Sequence, residues 1–330
     1  MPIPAIKRIG DASDQSPTPS APVPLDWQRT YVSIRGANGE GEEIPLTAFQ
    51  GKDWPSILML PGATGLDAPP YELHMDDSPN LDGSIFRDSR AGARQLMIPV
   101  YLYGIDRRSI IALKRKLVST LNPKNGYCVL KFVESDGSMR SINAFYAGGM
   151  EGNEALDSSG FHWISYGIQL TAPDPWFYSD IDNAAQWAMG GTSQLVGGTK
   201  FLPMSLSEGF PATKAAVIEN EGDVEAWPIW KVKGPLKSIS FTNEAGRTFG
   251  FTAPADGSDL VAAGRVLTID TRPGYKTMAD DQGANYFPSL KPNPDLWSVP
   301  TGTSLVTIDA VSGSGVSSVS MSYTPRYDSY

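Results

Sequence analysis

The chain has 330 residues, 27 basic and 36 acidic, for a formal charge of −9, with 33 glycines, 27 prolines and one cysteine. Residues 1–180 hold 16 basic and 21 acidic side chains and residues 181–330 hold 11 and 15, so neither half is a basic domain that would grip nucleic-acid phosphates. An acidic balance instead suits a surface past which DNA slides without sticking.

The length allows two domains, each able to bury its own core. Abundant Gly, Pro, Ser and Thr, with little Ala/Leu/Glu/Lys helix composition, predict a mainly β fold. Cys128, in the apolar run "YCVLKFV", has no intramolecular disulfide partner and reads as a buried, inert thiol. The sequence has no charged-then-apolar leader and no apolar run of about 18 residues, so synthesis in the cytoplasm without a membrane span is expected.

Residues 1–24 carry six prolines among Ser, Ala and Asp, the composition of an extended arm that buries little of itself. From Asp26 short alternating segments follow: "WQRTYVSIRG", "EEIPLTAF", "SILMLPG" and "ARQLMIPVYLYG", each bounded by turn residues and read as strands. The proline inside "QLMIPVYLYG" predicts an edge position or a bulge, because proline donates nothing to a ladder. "DRRSIIALKRKLVSTLNP" spaces Ile110, Leu113, Leu117 and Leu121 at helical intervals, with Ile111 and Val118 widening the stripe. It predicts a single helix, with Asp106 as N-cap and Pro123 beyond its end.

"GYCVLKFVES", "MRSINAFYAGG" and "FHWISYGIQLTAP" continue as strands, and "DGS" at Asp82, Asp136 and Asp256 marks tight turns. Residues 181–214 read as a linker or first strands. Beyond them "AAVIENEG", "WPIWKVKG", "KSISFTN", "RTFGFTAP", "GRVLTIDT", "SLVTIDAVS" and "SSVSMSYTPRY" are regularly spaced short strands, the pattern of a β-sandwich.

Chemistry is sparse. The only histidines are His74 and His162. His162 lies in a strand segment, and the acids around His74 lack the spaced oxygens and glycine of a calcium loop. There is no nucleophile elbow, phosphate loop, dinucleotide fingerprint or paired-cysteine zinc site, and no pair of carboxylates stands out as a glycosidase pair. The chain is therefore expected to have no catalytic residues, cofactor or metal. Trp176, Phe177, Tyr178, Trp187, Trp227, Trp230 and Trp297 concentrate toward the second half, where aromatics fill sandwich cores or stack on sugars. Tyr275, Tyr286 and Trp297 are the candidates for a carbohydrate contact.

Glu72, Asp76, Asp77 and Asp82 read as an acidic loop, and Arg87, Arg90, Arg94, Arg107, Arg108 and Arg115 as a basic stretch. Complementary patches of this kind suit a head-to-tail contact between identical subunits; a solvated mixed surface is the alternative.

In order and spacing, "LPGATGLDAPPYELHMDDSPNLDGSIF", "ARQLMIPVYLYG", the helix segment, "GYCVLKFVESDGSMRSINAFYAGG", "IQLTAPDPWFYSD", "WPIWKVKGPLKSISFTN", "GRVLTIDTRPG" and "LWSVPTGTSLVTIDA" with "VSMSYTPRY" together resemble the distal tail protein family of phages with long, flexible, non-contractile tails. These hub proteins are often called Dit, and the resemblance runs from about Trp27 to Tyr327. It implies a barrel-like, ring-forming domain with one helix over residues 25–180, after the arm at 1–24. A galectin-like or jelly-roll sandwich would occupy 181–330. Pro173, Pro175, Trp176, Phe177 and Tyr178 would form an interdomain latch, the prolines ending the ladder and the aromatics pinning the exit.

The resemblance further implies a homo-hexameric ring at the virion tail tip, between the tail-tube protein and the central fibre or tail-associated lysin protein. Its lumen would pass DNA and the tape-measure protein. The alternative reading is a carbohydrate-binding module that adsorbs to the host surface. The Pro-rich start and the loop Tyr275–Trp297 depart from shorter family members and are candidate contacts with neighbours.

Overall fold

The computed structural model describes residues 30–47, 56–77, 79–80, 82–152, 162–189, 211–313 and 317–330. The arm at 1–24 and most of the segment read as a linker lie outside the described residues.

The first part of the chain builds strands β1 (Tyr31–Arg35), β2 (Ile44–Pro45), β3 (Ser56–Met59), β4 (Tyr71–Asp77), β5 (Ser84–Ala91) and β6 (Arg94–Tyr103). Helix α1 (Arg107–Thr120) follows, then β7 (Cys128–Val133), β8 (Met139–Gly148), β9 (Trp163–Ala172) and β10 (Phe177–Ser179). Apart from the β4–β5 pair, these strands form one antiparallel sheet in the order β2-β1-β7-β8-β9-β6-β3. Its ends nearly meet: Leu46 N donates to Val32 O (2.8 Å) and Met59 N to Leu46 O (2.7 Å), so the sheet curls into an almost closed barrel. Alternation turns Leu96, Ile98, Val100 and Leu102 of β6 inward with Leu130, Ile142, Ile168 and Leu170.

The predicted helix is present and packs one face into the first core. Asp106 accepts from Ser109 N (2.7 Å) while its own N–H donates to Ser109 Oγ (3.1 Å), a reciprocal cap that fixes the helix start. Ile110, Leu117 and Leu121 are buried in the first core. At the other end a Cβ on Gly36 would stand 2.1 Å from Thr120 O; only glycine lets β1 pass so close.

Of the edge position or bulge expected of Pro99, the edge is not what is observed, because β6 is flanked by β9 and β3. Its carbonyl accepts from Leu60 N (2.8 Å), just past the end of β3, and the neighbouring segment rejoins only at Thr64, which exchanges hydrogen bonds with Met97. The proline lacks the reciprocal N–H donor of that pair, and the loss falls where the partner strand is already interrupted.

The second part adds β11 (Asn183–Met189), β12 (Pro211–Asn220), β13 (Ile229–Lys233), β14 (Leu236–Asn243) and β15 (Thr248–Phe251), then β16 (Val266–Asp270), β17 (Thr277–Asp280), β18 (Gly302–Ser312) and β19 (Ser317–Tyr323). They form a five-stranded sheet, β11-β19-β13-β16-β17, and a four-stranded sheet, β12-β18-β14-β15. The sheets meet through aromatics: Trp230 of β13 lies 4.3 Å from Phe241 of β14 and 6.5 Å from Phe249 of β15, centroid to centroid. Trp187 and Trp297 complete this second core. The mainly β class expected from composition is the class observed.

The last strand, β20 (Arg326–Tyr327), crosses over. The sequence reading placed "PRY" in the second sandwich, whereas the structure pairs Phe177 with Tyr327 and Tyr178 with Arg326, on the first sheet. Thr324 and Pro325 separate β20 from β19; which sheet the final residues join is then set by contacts about 150 residues away in sequence.

Candidate functional site

Among the described residues no constellation for covalent or acid–base chemistry emerges. His74 is an exposed residue of β4 facing Asp88 across the strand pair, and His162 sits exposed just before β9. Among the described residues no three His, Cys, Asp or Glu side chains gather closely enough to hold a metal ion. Cys128 is buried against Ala144 O, and burial pushes its thiol up to about 12. Among the described residues no helix is long and apolar enough to cross a membrane. Two other regions carry the residues that sequence reasoning singled out.

The first is the β4–β5 hairpin. Among the described residues it is hydrogen-bonded to no other strand, and β4 is exposed along its whole length. Register pairs Tyr71 with Ala91, Leu73 with Ser89 and Met75 with Phe86, whereas Glu72 faces Arg90, His74 faces Asp88 and Asp76 faces Ile85. Directly opposed residues share a face, so the hairpin has one apolar and one charged face. Tyr71, Leu73, Met75 and Phe86 are each more than half exposed, at 51–58%. Sequence alternation within "YELHM" was the signal for this face; reading the stretch as a loop hid it.

A bulge falls between His74 and Met75, with Arg87 as the extra residue of β5. Its Nε reaches Asp76 Oδ2 at 2.7 Å, and Arg90 Nε reaches Glu72 Oε2 at 2.7 Å. Acids and bases expected on separate patches are therefore partly neighbours on one hairpin. These pairs are exposed, and each contributes about 0–1 kcal/mol. Of the remaining candidates, Asp77 and Asp82 flank the tip, and Arg107, Arg108 and Arg115 lie on α1.

Arg94 does not belong to that surface. It is 1% exposed, with Nη1 donating to Gly65 O (3.0 Å) and Asp67 O, and Nη2 to Asp328 O (2.7 Å). Burial pulls its guanidinium below the usual arginine range. Guanidinium geometry, with several donors in a fixed fork, suits a junction made of carbonyls.

The second region is that junction. Pro173 is exposed and Pro175 buried at the turn out of β9. Phe177 is fully buried in the first core, edge-on to Phe132 (5.7 Å between centroids), with the Arg94 guanidinium 5.0 Å from its ring centroid. Tyr178 donates to Asp174 Oδ2 (2.5 Å); burial, reinforced by that carboxylate, raises its phenol well above the ordinary value. Trp176 stays half-buried beside Arg326.

The chain end closes over these residues. Tyr330 stacks on Phe132 at 4.3 Å, Arg140 lies 3.8 Å from the Tyr327 ring centroid and donates to Ser329 O. Toward the second sandwich, Arg326 Nε donates to Glu225 O (2.7 Å) and Asp328 N to Asp223 Oδ2 (3.1 Å). Residues 326–330 thus touch both parts of the chain.

The aromatic residues considered for carbohydrate divide. Trp297 is 1% exposed and donates from Nε1 to Phe241 O (3.3 Å), which removes it from any sugar-binding surface. The sandwich core needs its bulk between the two sheets. Tyr286 is half-buried against the same core with its hydroxyl 3.4 Å from Asp280 Oδ2, and only Tyr275 stands out, 70% exposed.

No protein-family model and no curated protein matches the chain. Among solved structures, the crystal structure of the SPP1 Dit (gp 19.1) protein, described as a paradigm of the hub adsorption apparatus in Gram-positive infecting phages, superposes with a TM-score of 0.57. The match covers 90% of this chain and 99% of that one at 13% identity. The phage P2 baseplate, in its activated conformation with Ca, gives a TM-score of 0.48 at 11% identity, over 92% of this chain and 100% of that one. At such low identity the SPP1 superposition speaks for the fold, and it runs through both parts of the chain. The polypeptide therefore has the fold of a phage distal tail protein, the one its sequence resemblance implies.

Proposed function

We propose that the protein is a structural hub of a long, non-contractile phage tail, part of the virion tail tip and made in the host cytoplasm. Its copies form a hexameric ring that joins the tail tube to the central fibre or tail-associated lysin and the host-adsorption apparatus. The observation that carries this reading is the superposition on a hub protein over almost the whole of both chains. The unpartnered hairpin, with four large apolar side chains more than half exposed, supports it, because a free monomer rarely leaves such a face uncovered.

In this reading residues 25–180 form the ring and 181–330 the peripheral sandwich, with Pro173–Tyr178 latching the two and the chain end reinforcing the latch. A net charge of −9 suits a lumen through which DNA passes without being held. The tape-measure protein would share that lumen before the DNA. Electron cryo-microscopy of the tail tip tests the reading. A six-fold ring around an open channel is expected; a single copy projecting from the particle overturns it.

A further inference from the structure

We infer that the apolar face of the β4–β5 hairpin of one copy seats on the outer side of helix α1 of the next copy, a contact that rests on the ring reading and specifies it. Helix α1 carries two apolar stripes. Ile110, Leu117 and Leu121 enter the core, whereas Ile111 and Val118 are 39% and 48% exposed. These two lie in a groove of about 570 Å³ whose walls include Arg107, Lys114 and Arg115.

The hairpin offers the complement: an apolar ridge of comparable exposure, and a tip flanked by Asp77 and Asp82. From Tyr71 to Ala91 there are five acids against two bases; from Asp106 to Asn122 there is one acid against five bases. Asp77, Asp82, Arg108 and Arg115 make no ion pair among the described residues, so their charges are available to a partner. Both faces are exposed within one chain, which shows that they do not cover each other there. Each is half of a heterologous contact, and repetition of such a contact generates a ring when the rotation closes. Opposite charge around an apolar centre sets register and steers encounter. A second copy is therefore the occupant that satisfies both surfaces at once.

Cysteines introduced on the full chain test the contact, since the native Cys128 is buried and does not compete. The Phe86→Cys/Ile111→Cys double variant, treated with a short bismaleimide, is expected to give a ladder of linked copies, whereas each single variant gives at most linked pairs. In parallel, Asp77→Arg with Asp82→Arg is expected to weaken self-association by about tenfold, and adding Arg108→Glu with Arg115→Glu to restore it. Oligomers by light scattering without a ladder, and indifferent to charge reversal, overturn this contact and leave the ring reading standing. A protein that stays monomeric at every concentration and in isolated tail tips overturns both.

Discussion

The β4–β5 hairpin and the junction around Phe177 are built from the same residue types, aromatics beside arginines and acids, yet one is almost wholly exposed and the other largely closed. At the junction most groups find partners within the chain, although Arg94 Nε and Asp328 Oδ1 are buried without a hydrogen bond. The Phe177 ring meets Phe132 and Arg94, and the Arg94 fork meets carbonyls from two distant segments. On the hairpin, exposed ion pairs hold Arg87 and Arg90, but Leu73, Met75 and Phe86 are left open. A closed region stabilises the monomer; an open one leaves apolar surface in water.

Phenylalanine provides the sharpest contrast. Phe177→Ala is expected to cost about 4 kcal/mol of stability in denaturant melts, the range for emptying a buried aromatic site. Phe86→Ala in the monomer is expected to change it by less than about 0.5 kcal/mol. Equal losses at the two positions would break the distinction between closed and open regions.

Arginine is next. Arg94→Ala leaves the carbonyls of Gly65, Asp67 and Asp328 without their donor and is expected to cost about 3 kcal/mol. Arg90→Ala, which removes one exposed ion pair, is expected to cost under about 1 kcal/mol. Hydrogen exchange would localise the first effect: in Arg94→Ala, amides of residues 326–330 should exchange faster while those of the sandwich core keep their protection. Protection unchanged at the chain end would remove Arg94 from the latch.

Assembly reverses the ranking. Leu73→Ser with Phe86→Ser should leave thermal stability nearly unchanged but reduce self-association in sedimentation, because it removes the open face without touching a core. Normal assembly of this variant would deny the hairpin its role.

The smallest effect concerns Cys128. Its thiol is raised from 9.0 to about 12 by burial, so below about pH 9 the thiol is protonated in both states and its contribution is constant. Between pH 9 and 12 the unfolded chain alone ionises, and stability falls as pH rises. Native protein at pH 9 is expected to resist alkylation until it is unfolded; fast labelling would show an open path to the site.

Much of this could be read in the sequence because it is local. The Asp106 cap, the helix stripe through Ile110 and Leu117, and the alternating strands depend on neighbours a few positions apart. So do the "DGS" turns, in which Asp136 and Asp256 accept from Ser138 and Ser258 and the glycines adopt positive φ. The resemblance to distal tail proteins rested on the order of such segments, and it named the fold correctly.

What the sequence did not contain was the destination of individual side chains. Arg94 looked like its neighbours Arg87 and Arg90, and Trp297 could fill a core or contact a sugar, because a residue's letter does not state which sheet will cover it. The pairing of Phe177 with Tyr327 and the passage of Pro99 inside a sheet depend on strands distant in sequence, and the hairpin ion pairs depend on the register of β4 against β5. Local hydrogen bonding and periodicity, which the sequence alone determines, set the elements and their order. Burial, register and partnership came from long-range packing, where one face of each element is consumed and the other is left for a neighbour.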